Sequence, residues 1–250
     1  MTSAKDFSSD TGNPFAQRLS IKLFADGADV PGMRLMNSKD FISGLTTNPT
    51  LMNKAGIRNY REFAAEVLEF VTEKPISFEV FSDELPKMIT QAKEISTWGN
   101  NVFVKIPITN SKNESTAPVV RELVQDGVKV NVTAILTLKQ VEQISENLDS
   151  ELPSYISVFA GRIADTGRDP VPYIKSSLEL IKQLPRCELI WASPREALNL
   201  YQANDVGCHV ITATNEILNK LALFDYSLDN FSLDTVKMFL NDAQSAGYSL

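Results

Sequence analysis

Short apolar runs alternate with polar, helix-length stretches along nearly the whole chain. The runs fall at 21–25, 43–46, 76–81, 102–107, 130–135, 155–161, 188–193 and 209–213, and their length and β-branched content predict strands. Helices are expected between them, for example over 58–72, 84–97, 115–125, 137–147, 170–184, 195–203 and 214–223. Asp83 is placed to cap the helix over 84–97, and Thr137 the one over 137–147. A parallel crossover needs a helix-sized connection, so this alternation predicts parallel βα units. Eight units in 250 residues favour an α/β fold with a single closed (β/α)8 TIM barrel over an open doubly wound sheet. Residues 1–18 are polar and mixed, and read as a loose extension or a short surface helix. The barrel is expected over 19–250, including an extra C-terminal amphipathic helix over 232–246. That helix is expected to cover a barrel mouth or to dock on a neighbouring subunit.

Composition removes several function classes. The formal net charge of −7 argues against a nucleic-acid surface. No apolar run reaches the length of a membrane span, and residues 1–18 lack the basic-then-apolar order of a signal peptide. Cys187 and Cys208 are far apart and in no metal spacing, which predicts reduced thiols in a cytoplasmic protein. His209 is the one histidine, so a multi-histidine metal site is impossible. It is expected at the start of a strand, in a structural role. No Gly-x-Gly-x-x-Gly or Walker loop is present, which weakens a nucleotide-binding reading.

The stretch Val102-Phe-Val-Lys-Ile-Pro-Ile-Thr109 carries the first candidate chemistry. It reads as a strand buried on both faces, with Lys105 near its carboxyl end. Desolvation there would lower the lysine's pKa, and a neutral amine in a cleft can form a Schiff base with a carbonyl. The plainer alternative is a lysine whose stem packs on apolar surface while its amine reaches water. Barrel chemistry sits at the carboxyl ends of the strands. Those ends carry Asp26, Thr46 to Thr50, Glu79, Lys105, Asn131 and Thr133, Ser157 with Arg162, and Ser193. An amine and two carboxyls around one mouth suit imine formation followed by carbon–carbon bond cleavage. Equally, Asp26 before Gly27 is a turn signal, and Glu79 with Lys105 is a salt bridge that satisfies both charges.

Taken together, these segments resemble the transaldolase family. The matching pieces are Phe24-Ala-Asp26, Gly44-Leu-Thr-Thr-Asn-Pro-Thr50, Val104-Lys-Ile-Pro-Ile-Thr109, Gly127-Val-Lys-Val-Asn-Val-Thr133, Gln140, Ser157-Val-Phe-Ala-Gly-Arg-Ile163 and Asp165. The short chain resembles the small transaldolase and fructose-6-phosphate aldolase branch. The resemblance implies a (β/α)8 barrel, a homo-oligomer joined through the C-terminal helix, sugar-phosphate substrates, and no metal or organic cofactor. It implies that Lys105 forms the Schiff base and that Asp26 takes the proton from the C4 hydroxyl. Glu79 and Thr133 match the pair that holds the water of imine formation and hydrolysis. Thr46, Asn48, Asn131 and Ser157 match positions that line the site or hold dihydroxyacetone hydroxyls. Arg162 matches an arginine that pairs with the substrate phosphate, for which a planar fork is suited.

Two positions separate the branches. The resemblance to transaldolases rests on Glu79 and Phe159, where the aldolase branch carries glutamine and tyrosine. There are also departures. After Ser193 the family usually continues with an aromatic and a basic residue on the phosphate, whereas Pro194-Arg195 follows here, so Arg195 substitutes or the acceptor differs. The usual Glu-Gly-Leu after Thr109 is replaced by Asn-Ser-Lys-Asn-Glu, and the usual Phe-Ser after the fifth strand by Leu136-Thr137. The expected activity is transfer of a dihydroxyacetone unit from a ketose phosphate to an aldose phosphate, falling as pH drops below the lysine's pKa. The alternatives are direct aldol cleavage of fructose 6-phosphate and a non-catalytic sugar-phosphate-binding barrel.

Overall fold

Eight parallel strands close into a barrel in chain order. The computed structural model describes residues 16–249. The strands are β1 (Lys22–Asp26), β2 (Ile42–Thr46), β3 (Ile76–Glu79), β4 (Val102–Pro107), β5 (Val130–Ile135), β6 (Ser154–Val158), β7 (Cys187–Trp191) and β8 (Val210–Thr214). The α-helices are α1 (Val30–Asn37), α2 (Pro49–Lys54), α3 (Tyr60–Leu68), α4 (Leu85–Ser96), α5 (Ala117–Gln125), α6 (Leu138–Ser145), α7 (Ala160–Asp165), α8 (Val171–Leu180), α9 (Leu198–Asp205), α10 (Asn215–Asn219) and α11 (Leu228–Ser245).

The two-residue period of a strand sorts each side chain to one of two layers. Leu23, Ile76, Phe78, Val104, Ile106, Val130, Val132 and Ile156 belong to the core between barrel and helices. The residues between them point inward. Phe24, Phe103, Tyr155, Ile190 and Val210 fill the barrel below its mouth. Tyr155 meets Phe24 edge-on at 5.7 Å and Phe103 at 4.5 Å between ring centres. The Phe24 ring fits because residue 44 is glycine. A Cβ there would lie 2.5–2.8 Å from three of its ring carbons. One layer higher, the inward positions turn polar, and the site begins.

Several boundaries differ from those the pattern predicts. Helix α1 fills the gap between the first two strands, while α2 and α7 stand where a turn and a strand end were expected. The expected strand over 155–161 stops at Val158, so Gly161-Arg162-Ile163 lies in α7. The helix expected over 214–223 divides into α10 and a 3-10 turn at Lys220–Leu223. Thr137 caps α6 in a full capping box with Gln140. Asp83 does not cap α4, whose N-cap is Glu84 without a side-chain bond. The Asp83 carboxylate instead accepts the Ser111 N–H and hydroxyl, both at 2.7 Å. Two donors on the β4–α5 loop outcompete one helix end.

Residues 1–15 of the expected extension lie outside the described residues, and Ala16–Arg18 form a 3-10 turn. α11 begins four residues before the expected 232, after the Ser227 cap, and none of its residues is buried. Leu228 is 82% exposed and Phe239 61%, so this helix does not cover the mouth of its own barrel. His209 lies before β8 and accepts the Leu189 N–H at 2.9 Å through Nδ1, a structural bond. Cys187 and Cys208 are free and buried, and burial pushes their thiols up to about 11 and about 12. Among the described residues, no helix is long and apolar enough to cross a membrane.

Candidate active site

Lys105 faces the barrel interior because Val104 and Ile106 face the helices. It is only 6% exposed. Its Nζ donates to the Thr47 carbonyl at 2.9 Å and lies 3.6 Å from Glu79 Oε2. The plainer expectation, an amine that escapes to water, is not met. The strand register places Glu79 beside Lys105 on one side and Asn131 on the other. Asp26 completes the group from β1. Its Oδ1 accepts the Thr46 hydroxyl at 2.8 Å, and Thr46 Oγ1 is 2.5 Å from Thr212 Oγ1.

Both carboxyls sit above the usual carboxylate range. For Asp26 the cause is burial, which outweighs the Lys105 charge and the Thr46 hydrogen bond. For Glu79 it is again burial against the Lys105 charge and hydrogen bond, with the Asp26 charge adding to the rise. Carboxyls raised in this way next to an amine are candidates for giving and taking protons.

Asn131 and Ser157 are tied to one another rather than loose. The Ser157 hydroxyl donates to Asn131 Oδ1 at 2.7 Å, and Asn131 Nδ2 donates to the Ser77 hydroxyl at 3.0 Å. Thr133 is buried, and its hydroxyl has no partner among the described residues. β5 is irregular at this point, with Ala134 in the left-handed region at φ 62°. Asn48 caps α2, its side-chain oxygen accepting the Leu51 N–H at 3.0 Å. Its amide NH2 remains for other contacts.

A second group forms where the β6 and β7 loops meet. Phe159 packs on the barrel's inner aromatic cluster, and the Arg162 guanidinium lies 5.6 Å from its ring centre. The Arg195 fork closes on Asp165, Nε to Oδ1 at 3.0 Å and Nη2 to Oδ2. This pair holds the Asp165 carboxyl below its usual range. Arg195 is therefore engaged, and Arg162 is in no ion pair among the described residues. Ser193 adopts φ 59°, and its carbonyl abuts Gly161. A Cβ at 161 would lie 1.6 Å from that oxygen, so only glycine lets the two backbones touch. Gly161→Ala is expected to destabilise the protein by about 3 kcal/mol or more, the upper end for overpacking. Denaturant unfolding checks this, and a loss under about 1 kcal/mol would refute the contact.

Tyr60 was not anticipated from sequence. Its hydroxyl donates to the Glu79 carbonyl at 3.0 Å and accepts the Glu79 N–H at 2.8 Å. Thr212 likewise enters the site only through the fold.

Known proteins share this arrangement of segments. The sequence model described as Transaldolase/Fructose-6-phosphate aldolase matches residues 23–250. A Streptococcus agalactiae protein named "Probable transaldolase" is 32% identical over 226 residues, which are 90% of this chain and 98% of that protein. "Probable transaldolase 2" of Listeria monocytogenes is 33% identical over 218 residues, 86% of this chain and 95% of that protein. A "Probable transaldolase" of Clostridium kluyveri is 33% identical over 218 residues, 86% and 97% respectively.

Proposed function

The chain belongs to the transaldolase/fructose-6-phosphate aldolase family of enzymes, and on that premise we propose that Lys105 carries a dihydroxyacetone unit from a ketose phosphate to an aldose phosphate. The observation that supports this most is the buried Lys105 amine, 3.6 Å from a Glu79 carboxyl that burial raises. In this reading the amine adds to the C2 carbonyl, and loss of water leaves a protonated imine. Asp26 then takes the C4 hydroxyl proton. The C3–C4 bond breaks, its electron pair enters the imine to form an enamine, and the aldehyde leaves. The enamine attacks the acceptor aldehyde, and water releases the new ketose. Glu79 and the Thr133 hydroxyl hold the water of the first and last steps. Asn131, Ser157, Thr46 and Asn48 receive the sugar hydroxyls. Arg162 pairs with the phosphate, while Arg195 holds α7 through Asp165.

Phe159 favours transfer over direct aldol cleavage. Its ring has no hydroxyl to help water protonate the enamine, so the enamine waits for an aldehyde. Residues 19–250 act as one catalytic domain in this reading. The exposed apolar face of α11 favours a homo-oligomer in which that helix docks on a neighbouring copy. The two unpaired, buried cysteines fit a reducing, cytoplasmic setting. Fructose 6-phosphate supplied with and without an aldose phosphate tests the activity. Consumption should depend on the acceptor, with only a trace of free dihydroxyacetone. Abundant dihydroxyacetone without acceptor would make the protein a direct aldolase. A wild-type Lys105 left unlabelled by borohydride under saturating donor would make it a binding protein.

A further inference from the structure

Strands β2 and β3 part beside the reactive amine, and one phenol bridges the gap. Their ladder runs from Leu45 N–H to the Pro75 carbonyl at 2.9 Å, then from Thr47 N–H to the Ser77 carbonyl at 3.3 Å. The two-residue step of a parallel ladder assigns the Glu79 carbonyl to residue 49. That residue is Pro49, which has no N–H. The same step assigns the Glu79 N–H to the Thr47 carbonyl, but that oxygen accepts the Lys105 amine. Both backbone groups of Glu79 thus lose their rungs at a half-buried position, where an unmade bond is destabilising. Tyr60 Oη replaces both rungs, one as donor and one as acceptor. Its ring opens α3 behind the Asn59 cap, and sits edge-on to Phe78, Phe81 and Trp98 with centres 6.2, 5.8 and 5.5 Å away.

We propose that Tyr60 is a positioning residue for the imine chemistry: its hydroxyl pins the end of β3, which keeps Glu79 against Lys105 and leaves the Thr47 carbonyl to aim the amine. The proposal rests on the reading of Lys105 as the imine-forming group. Tyr60 touches no reacting atom and acts through Glu79 and Thr47. Lys105 from β4, Asp26 from β1 and Tyr60 from α3 are the titratable groups around Glu79.

Tyr60→Phe keeps the ring and removes the hydroxyl. Its kcat is expected to fall about ten- to a hundredfold with KM within about twofold, the scale for a group displaced near the chemistry. The acid-side limb of the kcat profile should move to lower pH, because an unpinned Glu79 reaches water and loses the burial that raised it. In a Glu79→Gln background the same change should lower kcat less than about threefold, since one effect cannot be lost twice. A wild-type kcat with an unmoved limb overturns the proposal, as does a lowered melting temperature alone. Borohydride trapping with fructose 6-phosphate separates the two levels: wild-type protein unlabelled at Lys105 sinks the imine reading, whereas labelled protein with an unaffected Tyr60→Phe variant sinks only this proposal. Should the variant not fold, amide hydrogen exchange of the wild type decides. Protection of the Glu79 N–H equal to that of Phe78 supports the replaced rung, and loop-like exchange overturns it.

Discussion

Lys105→Met is expected to lower kcat/KM for dihydroxyacetone transfer by roughly 10⁴-fold or more, the scale of losing a covalent nucleophile. Methionine keeps an unbranched stem of similar length inside the barrel but cannot form an imine. Donor affinity should change far less than kcat, because the phosphate and hydroxyl contacts do not involve the amine. Borohydride should add no donor mass to the variant. The fold should survive, with a characteristic pH signature. Glu79 loses the positive neighbour that restrains its rise, so its carboxyl moves further above the ordinary value of 4.5. The folded variant then holds the proton more tightly than the unfolded chain. Its stability relative to wild type is therefore kept at low pH and lost as pH climbs from the raised wild-type value of Glu79 through the still higher one of the variant. Initial rates, mass of the trapped adduct and melting temperature against pH test the three parts. Residual activity within about tenfold of wild type would remove Lys105 from the mechanism.

Asp26→Asn is expected to reduce kcat by about 10²- to 10⁴-fold, the range for a general base, while Lys105 still traps the donor. The asparagine oxygen can still accept the Thr46 hydroxyl, so geometry is preserved. Stability should move the other way. The folded-state pKa of Asp26 lies above its ordinary 3.8, so ionising it costs more in the barrel than in the unfolded chain. That penalty appears as pH rises through 3.8 and is complete above the folded pKa. Asparagine never ionises and avoids it. The variant should melt at or above the wild-type temperature near neutrality, and the difference should shrink in acid. A lower melting temperature at neutral pH would mean that the carboxylate is structural rather than held in readiness for a proton.

The barrel was readable because its strands obey a two-residue rule that survives burial. The same rule turns Lys105 inward between Val104 and Ile106, whereas the sequence alone left its amine free to reach water. Asp26 as a turn residue and Glu79 as a plain salt bridge likewise stayed open until the strands closed. The helix α2 was missed because Thr47-Asn48-Pro49 reads as a turn. A proline in the first turn surrenders no bond, since those N–H groups have no helical partner. Asp83 resembled a cap, and a loop 28 residues away took it. Arg195 resembled a free cation until α7 brought Asp165 to it. Tyr60 carried no local signal at all. Its role depends on a rung that Pro49 cannot form, which only the closed register exposes.

The ring of Phe24, seated in the space that Gly44 leaves open, gives the barrel a solid floor. That floor closes the end of the barrel away from the amine. The incoming aldehyde must also stand where the departing one stood, because both bond to the same carbon. For a transfer carried on Lys105, the two sugars take turns: the first has to clear the threshold before the second can be seated, and the enzyme alternates between an empty and a loaded form.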